Sequence, residues 1–575
     1  MKAPTSAAPP ATPSRGGSAR AAGLAIAASL IVVLVLLGLL GRAGAAAWQA
    51  RYTLDDAFVF CRYADHLWAG WGLAWNPGGP QTFGCTSLLY ALWIALLRAL
   101  TSLTPWQVLA IGSFVPGLLA LVVMGLACGR VAAASVLRHP VVGCGFVALA
   151  ACVQPAFFFH VQTGMDTTTA ILTNALLILA AVDPRLTQSA KRLALFACLA
   201  YLTYLARPDN LLYALLFPSL RLVLDSGSDA RRRWRALAVF ATILGVLLLA
   251  DAGVKTLVFG NPLPLPFYAK RGDFYAGYIG APRWNPVYAT QGFLLYQAVP
   301  LVLLVLTVGR HSWQLALAAL VPMVLTFAYL GTAIQIMGYE ARFYYPAMPF
   351  VLVAAYRALD TALPRLRGLA WGTRFRRLGA RSVALAVLGL LVFPGGNRVA
   401  RWYEAYCQRR HPDLRTPGVY QASPALPPLD WVPSMRAIAR LVGMCPPNTV
   451  WAMSEHGFVG AMFPNVTIID LAGLHDRNTL TGKSIVARAL EQKPDVIWLP
   501  HAHYTGLVAA LEASPVLAED YDYWPGAFGY GLAVRKQSPW RAEIDRALHD
   551  VWRACYQAEC PPPAVRAGKR EQVRR

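Results

Sequence analysis

After a Pro/Ala/Ser-rich start carrying Lys2, Arg15 and Arg20, the chain turns apolar from Ala21 to Ala47. That run exceeds the roughly 7–15 residue core of a signal peptide, so it predicts an uncleaved anchor helix. Comparable runs recur up to Arg398, each near the roughly 20 residues that cross a bilayer as a helix, and together they predict about eleven spans. One run is out of step. Cys85 to Leu100 is short for a crossing, and counting it would invert every later loop, so it predicts a juxtamembrane or re-entrant helix. Beyond Arg398 the apolar runs shorten to "TVWAMS", "VTIIDLAG", "DVIWLP" and "YGLAVRK", separated by helix-like "SIVARALEQ" and "LVAALEA". Short apolar strands alternating with helices predict a small α/β domain.

Composition agrees with a membrane chain. Mean hydropathy is +0.44 and 14% of residues are charged, too apolar for a soluble enzyme of this length. The net charge of +23 then reflects basic cytoplasmic loops rather than a nucleic-acid partner. Basic clusters fall at Arg130 and Arg138, at Arg185, Lys191 and Arg192, at Arg231 to Arg235, at Arg310, and in "PRLRGLAWGTRFRRLGAR". Placing these inside puts the N-terminus inside and everything after Arg398 outside. The organisation read this way is a cytoplasmic tail at 1–20, an α-helical polytopic membrane domain at 21–397 with an outer loop at 42–104, an outer α/β domain at 398–565 and a disordered tail at 566–575. Cys61, Cys85, Cys407, Cys445, Cys555 and Cys560 then lie in an oxidising compartment, with Cys61–Cys85, Cys407–Cys445 and Cys555–Cys560 as candidate pairs. No Cys/His set has convincing zinc-site spacing.

On this map the unusual polar residues gather at one membrane surface. They are Asp55 and Asp56 in "RYTLDDAFVF", Asp166 in "TGMDTT", Arg207 and Asp209 in "ARPDN", Lys270 and Arg271 beside Tyr268 in "PFYAKRGD", and Glu340 and Arg342 in "GYEARFYYP". Ionisable groups at that depth are costly and mark function or pairing; loop salt bridges and snorkelling side chains are the bland alternative. The set suits sugar transfer from a lipid phosphate, which needs cations for the phosphate, an apolar groove for the lipid and a base for the acceptor hydroxyl. A phosphate leaving group met by Lys and Arg would need no obligatory metal, and a divalent metal stays open. Adjacent residues on a helix point about 100° apart, so Asp55 and Asp56 cannot both face one hydroxyl. Thr53 followed three residues later by Asp56 resembles a capping box, which leaves Asp55 to face the cavity and Arg62, two turns on, to share that face.

The stretch "DDAFVFCRYADHLWAGWGLAWNPGG" is similar to the first outer loop of GT-C glycosyltransferases, and within them to the arabinofuranosyltransferase-like branch. "TGMDTT", "ARPDN", "GNPLPLPFYAK" and "RFYYPAMP" follow in the same order, so the resemblance spans Tyr52 to Pro349. It implies a GT-C fold and an inverting, polyprenyl-phosphate-sugar-dependent transferase in a bacterial inner membrane, with its site and C-terminal domain facing the periplasm. The implied donor sugar is D-arabinofuranose, with hexose or aminoarabinose as alternatives; the acceptor is a glycan, glycolipid or protein. Asp55 matches the acid implied as general base, and Asp166 a second acid that orients acceptor or base. Lys270 and Arg342 match cations implied to hold the lipid phosphate, a role that residue type also allows Arg207. Asp56, Arg62, Asp209, Glu340 and Tyr268 are supporting residues. Cys85 departs from the aromatic expected at its place in the family pattern. A lipid-glycan flippase is the alternative of another class; it would need polar residues in mid-helix. Glu455, His456, Asp470 and His475 of the outer domain are read as structural, with glycan contact as the alternative.

Overall fold

A computed structural model describes residues 15–49, 54–133, 136–225, 227, 229–271, 285–310, 312–333, 338–368, 429, 431–478, 484–500 and 504–564. Thr53, Cys407 and the expected domain boundary at 397/398 lie outside the described residues. The membrane part comprises α1 (Arg15–Trp48), α2 (Asp55–Trp68), α3 (Leu88–Leu100), α4 (Pro105–Val131), α5 (Pro140–Cys152), α6 (Pro155–Gln162), α7 (Thr167–Ala181) and α8 (Ala190–Ala206). It continues with α9 (Leu211–Val223), α10 (Ala230–Phe259), α11 (Leu265–Arg271), α12 (Asn285–Tyr296), α13 (Ala298–Thr307), α14 (Trp313–Leu330) and α15 (Met348–Gly368).

Four described helices are long and apolar enough to cross a membrane: Gly23–Trp48, α4, α10 and α14. Two bent pairs, α5 with α6 at 90° and Pro286–Tyr296 with α13 at 68°, would bring that number to six. These counts cover the described residues, which leave out 369–428, and further apolar sequence lies in shorter helices. Of these, α7, α8 and α9 have 15, 17 and 13 residues. Cys85 to Leu100 forms α3, of 13 residues. The two breaks meet each other. Gln297, in the second break, donates from Nε2 to Oε1 of Gln154, in the first, at 2.7 Å, and the Tyr345 hydroxyl donates to the same oxygen at 3.0 Å. The two breaks are thereby joined through side chains, while their own backbone amides bond locally: the Gln154 amide donates to the Ala151 carbonyl and the Gln297 amide to the Phe293 carbonyl.

α10 shows how the bundle meets lipid. Phe240, Leu244, Asp251, Lys255 and Phe259 are buried and fall on one stripe at helical spacing. Val246, Leu249 and Leu257 on the other side are 60%, 75% and 87% exposed. Large aliphatic side chains exposed in a continuous band are stable against hydrocarbon and not against water. The chain is a multi-pass membrane protein.

The C-terminal domain is a five-stranded sheet in the order β2-β1-β3-β5-β4. Its strands are β1 (Trp451–Met453), β2 (Ile468–Asp470), β3 (Val496–Trp498), β4 (Tyr521–Pro525) and β5 (Gly531–Arg535). β1 runs parallel to β2 and β3, and β5 antiparallel to β3 and β4. Trp451, Trp498 and Trp552 fill its core. The sheet leaves β2 as one edge, and that edge faces α2 and the loop that follows it.

The described cysteines are free thiols, Cys61, Cys85, Cys445, Cys555 and Cys560 among them. This corrects two of the three candidate pairs: Cys61 and Cys85 are each buried, and the Cys61 thiol points to the Pro105 carbonyl at 3.7 Å. Burial raises both thiols above their ordinary range and suits them as small apolar groups. The third candidate involves Cys407, outside the described residues.

Candidate active site

The loop after α1 is stitched to the C-terminal domain. Arg62 is fully buried, and its guanidinium donates to five acceptors: the carbonyls of Trp75, Gly460, Phe463 and Val466, and Oδ1 of Asn76. Burial alone draws this group down to about 9; a planar fork with every direction met by oxygen is how a buried arginine is tolerated. Arg62 therefore does not reach the cavity as expected from its helical spacing, because that face of α2 is covered by a domain some 400 positions later in the chain.

"WNP" does the same work on β2. The Ile468 amide donates to Asn76 Oδ1 at 2.9 Å, and the Ile468 carbonyl accepts from Asn76 Nδ2 at 3.1 Å and Trp75 Nε1 at 3.0 Å. One side-chain amide thus pairs with the exposed strand edge as another strand would. Two glycines make the approach possible. A Cβ at Gly457 would lie 2.1 Å from the Asp55 carbonyl oxygen, and one at Gly84 2.0 Å from His475 Nδ1.

The paired acids separate here. Asp55 is 3% exposed, and its two carboxylate oxygens accept from the amides of Gly457 at 2.9 Å and Phe458 at 2.7 Å. Burial pushes its carboxyl above the ordinary range, opposed by His456 and by the two amide bonds. The residue expected to face the cavity instead caps the short helix Gly457–Met462. Asp56 has a side chain 35% exposed, and its carboxylate lies 3.9 Å from Nη2 of Arg342.

Arg342 is buried, and its Nε and Nη1 have no hydrogen-bond partner among the described residues. Its guanidinium carbon sits 4.9 Å above the Phe343 ring. Burial pulls its affinity for a proton down, while Asp56 and, behind it, Asp166 and Asp209 raise it. The backbone that presents it is strained: Glu340 and Ala341 have φ of 50° and 55° without being glycine. Glu340 is fixed by the Tyr296 hydroxyl at 2.5 Å, and its carbonyl accepts from His160 Nε2 at 3.1 Å.

Arg207 has no such freedom. It pairs with both oxygens of Asp209 at 2.9 and 2.8 Å, and with Asp166 at 3.0 Å. This corrects its expected phosphate role: two carboxylates already occupy the fork. Asp166 is buried at the start of α7, with the Thr86 hydroxyl 3.5 Å from its other oxygen. Tyr268 lies half-buried on α11 against Phe267. Lys270 falls in the same helix, with its side chain outside the described residues.

The structure adds a cation that the sequence reading missed. Lys255, 4% exposed on α10, pairs with Asp251 at 2.6 Å and lies 5.0 Å from the Phe83 ring and 4.9 Å from the Tyr204 ring. Tyr201 donates to the other Asp251 oxygen at 2.9 Å. Phe83 ties this group to the outer loop, since it also stacks on Phe259. An acid and a base four residues apart in an otherwise apolar helix were the available signal.

No protein-family model and no curated protein matches the chain. Among solved structures it is similar to ArnT from Cupriavidus metallidurans bound to undecaprenyl phosphate, at a TM-score of 0.51 and 14% identity over 88% of this chain and 98% of that one. The fold is of the GT-C type. A GT-C fold with a C-terminal α/β domain agrees with the architecture read from the sequence.

Proposed function

We propose that this chain transfers a sugar from a polyprenyl-phosphate donor to a hydroxyl acceptor at the outer, periplasmic face of a bacterial inner membrane. The observation that carries the reading is the buried guanidinium of Arg342, two of whose nitrogens have no partner among the described residues, 3.9 Å from the half-exposed carboxylate of Asp56. A desolvated cation with open donors suits a phosphate, and a nearby solvent-reached carboxylate suits an acceptor hydroxyl. Support comes from the fold neighbour, which was bound to undecaprenyl phosphate.

In the proposed reaction the acceptor oxygen gives its proton to Asp56 and attacks the anomeric carbon. The bond from that carbon to the phosphate oxygen breaks on the opposite face, so the configuration inverts. Polyprenyl phosphate leaves with its charge met by Arg342, assisted by Lys255 and Lys270. Asp55 holds the C-terminal domain against the loop, and Asp166 with Asp209 holds Arg207. The assignment of base to Asp56 rather than Asp55 rests on Asp55 being engaged by two amides, while no backbone amide among the described residues, which leave out Thr53, meets Asp56.

The motifs of the first loop favour D-arabinofuranose as donor sugar, in the arabinofuranosyltransferase-like branch, with a glycan, glycolipid or protein as acceptor. Likeness to ArnT favours aminoarabinose as the second reading. The test is release of polyprenyl phosphate from a panel of polyprenyl-phosphate arabinofuranose, hexose and aminoarabinose donors by purified protein in detergent. One donor is expected to be consumed by the natural sequence and not by Arg342→Ala. No release from any of them, in protein shown to be folded, would reject the reading.

A further inference from the structure

β1 and β2 are adjacent and parallel, with Met453 opposite Asp470. The residues that follow the two strands therefore leave the sheet side by side at its carboxyl edge, where parallel sheets gather their functional groups. Ser454, Glu455 and His456 follow β1; Asp470 ends β2 and leads to His475. One ligating atom each from His456, Asp470 and His475 lies within 4.8 Å of the other two, and all three residues are buried.

The hydrogen bonding of this trio is incomplete in a specific way. The Asp470 carboxylate accepts from the amides of Leu474 and His475 on Oδ2 and of Ala472 on Oδ1, which fixes its plane and leaves the second lone pair of Oδ1 open. His456 is 4% exposed, yet its Nδ1 has no hydrogen-bond partner among the described residues, and it faces Asp470 Oδ1 at 3.5 Å. That gap is too long for a hydrogen bond. It matches the edge of a tetrahedron, about 3.4 Å, for ligands each about 2.0–2.1 Å from a zinc ion. His475 holds its Nδ1 against the Tyr63 hydroxyl at 2.9 Å, and with that nitrogen protonated Nε2 carries the lone pair. A ligating imidazole commonly has its other nitrogen bonded in this way. The Trp75 indole stacks on His475 at 4.1 Å and meets His456 edge-on at 4.9 Å, so both rings are held in place.

We infer that His456, Asp470 and His475 form a divalent-metal site of zinc type. Two imidazoles and one carboxylate are a borderline-soft donor set that suits zinc over calcium or magnesium. The fourth position would belong to water. A cleft of about 510 Å³, lined among others by Asp470, His475 and Asp476, gives it access. The nearby cations have partners of their own: Arg62 is met by five oxygens, Arg477 donates to the carbonyls of Gln81 and Val258, and Arg488 lies 3.0 Å from Asp476. All three ligands come from the C-terminal domain, while Tyr63 and Trp75 that orient them come from the outer loop. The metal would therefore set the conformation of the surface onto which that loop docks. Its ligands do not include Asp56 or Arg342, although His456 acts electrostatically on Asp55, and the inference does not depend on the transferase reading.

The experiment is metal analysis of the intact protein, purified in detergent without chelator and without a metal-affinity step. About one zinc per chain is expected. His475→Gln and His456→Asn should each reduce it at least fivefold, at unchanged elution volume. Stripping with a chelator should lower the melting temperature of the natural sequence and not that of the double variant, and added zinc should restore it. Cobalt(II) added to the stripped protein should give the visible absorption of four-coordinate cobalt, absent from the double variant. If the variants fold poorly, this cobalt spectrum and the chelator response of the natural sequence decide the matter alone. A metal-free natural protein that takes up neither zinc nor cobalt, or variants that retain both, would overturn the inference.

Discussion

Replacing Asp55 or Asp56 with asparagine should produce two different failures. The Asp55 carboxylate accepts two amide hydrogen bonds from the C-terminal domain, at 2.9 and 2.7 Å. Asparagine keeps one acceptor oxygen, and its amide group turns donors toward a donor. One bond to a charged acceptor is lost, about 1.5–3 kcal/mol, and one buried N–H is left unmet. Relief of the buried charge offsets part of this, so the net loss is about 2 kcal/mol. The expected result is a lower melting temperature and faster proteolysis of the C-terminal domain, with transfer retained within about tenfold below the melt. Asp56 is half-exposed and makes one loose contact with Arg342. Its substitution should leave the melt unchanged and remove a general base, worth about 10²–10⁴-fold in kcat. Both variants can be followed by thermal unfolding in detergent and by release of polyprenyl phosphate. An Asp55→Asn protein that melts like the natural one and is inactive would refute the assignment, since its carboxylate would then be reacting and not docking.

Four further outcomes follow from the geometry. Arg342→Gln should weaken donor binding about 10–100-fold, the equivalent of one or two charged hydrogen bonds, measured as a rise in KM with the melt unchanged. Lys255→Met should destabilise the protein by about 3–5 kcal/mol by stranding Asp251; adding Asp251→Leu should restore the melting temperature without restoring full donor affinity. Gly84→Ala forces a Cβ to within 2.0 Å of His475 Nδ1, so the C-terminal domain should become sensitive to protease while a serine at the open position Gly253 has no such effect. Cys61 and Cys85 should both be alkylated in denaturant without reductant and be protected in the folded protein; protection that persists in denaturant would reveal a disulfide.

Much of the fold was legible because it rests on period and length. Four of the five strands follow from short apolar runs. β4, "YDYWP", escaped because it is an edge strand of alternating polarity that ends on proline. The site was legible as a set of loops but not in its internal roles. Spacing of seven residues rightly put Arg62 on the face of Asp55, yet nothing local says that this face lies under a second domain. Arg207 and Arg342 look equivalent in sequence; only the positions of Asp166 and Asp209 show that one is satisfied and the other open. Lys255 sits inside a helix and not in a loop, and only its spacing of four from Asp251 marks it in the sequence. The metal-type trio is assembled by the parallel register of β1 and β2, which no short motif reports.

The amide of Asn76 has a consequence for how the protein can be divided. By closing the outer edge of β2 it stands in for a sixth strand that the C-terminal sheet does not itself contain. Residues 431–564 expressed alone would display that edge, together with the bare carbonyls of Gly460, Phe463 and Val466 that Arg62 now satisfies. Such a fragment offers its neighbours an open template and would self-associate in solution. The loop of the membrane domain is in this sense a resident chaperone for the domain that follows it, and an excised soluble version would need a grafted strand, or a charge placed at Thr467, to remain monomeric.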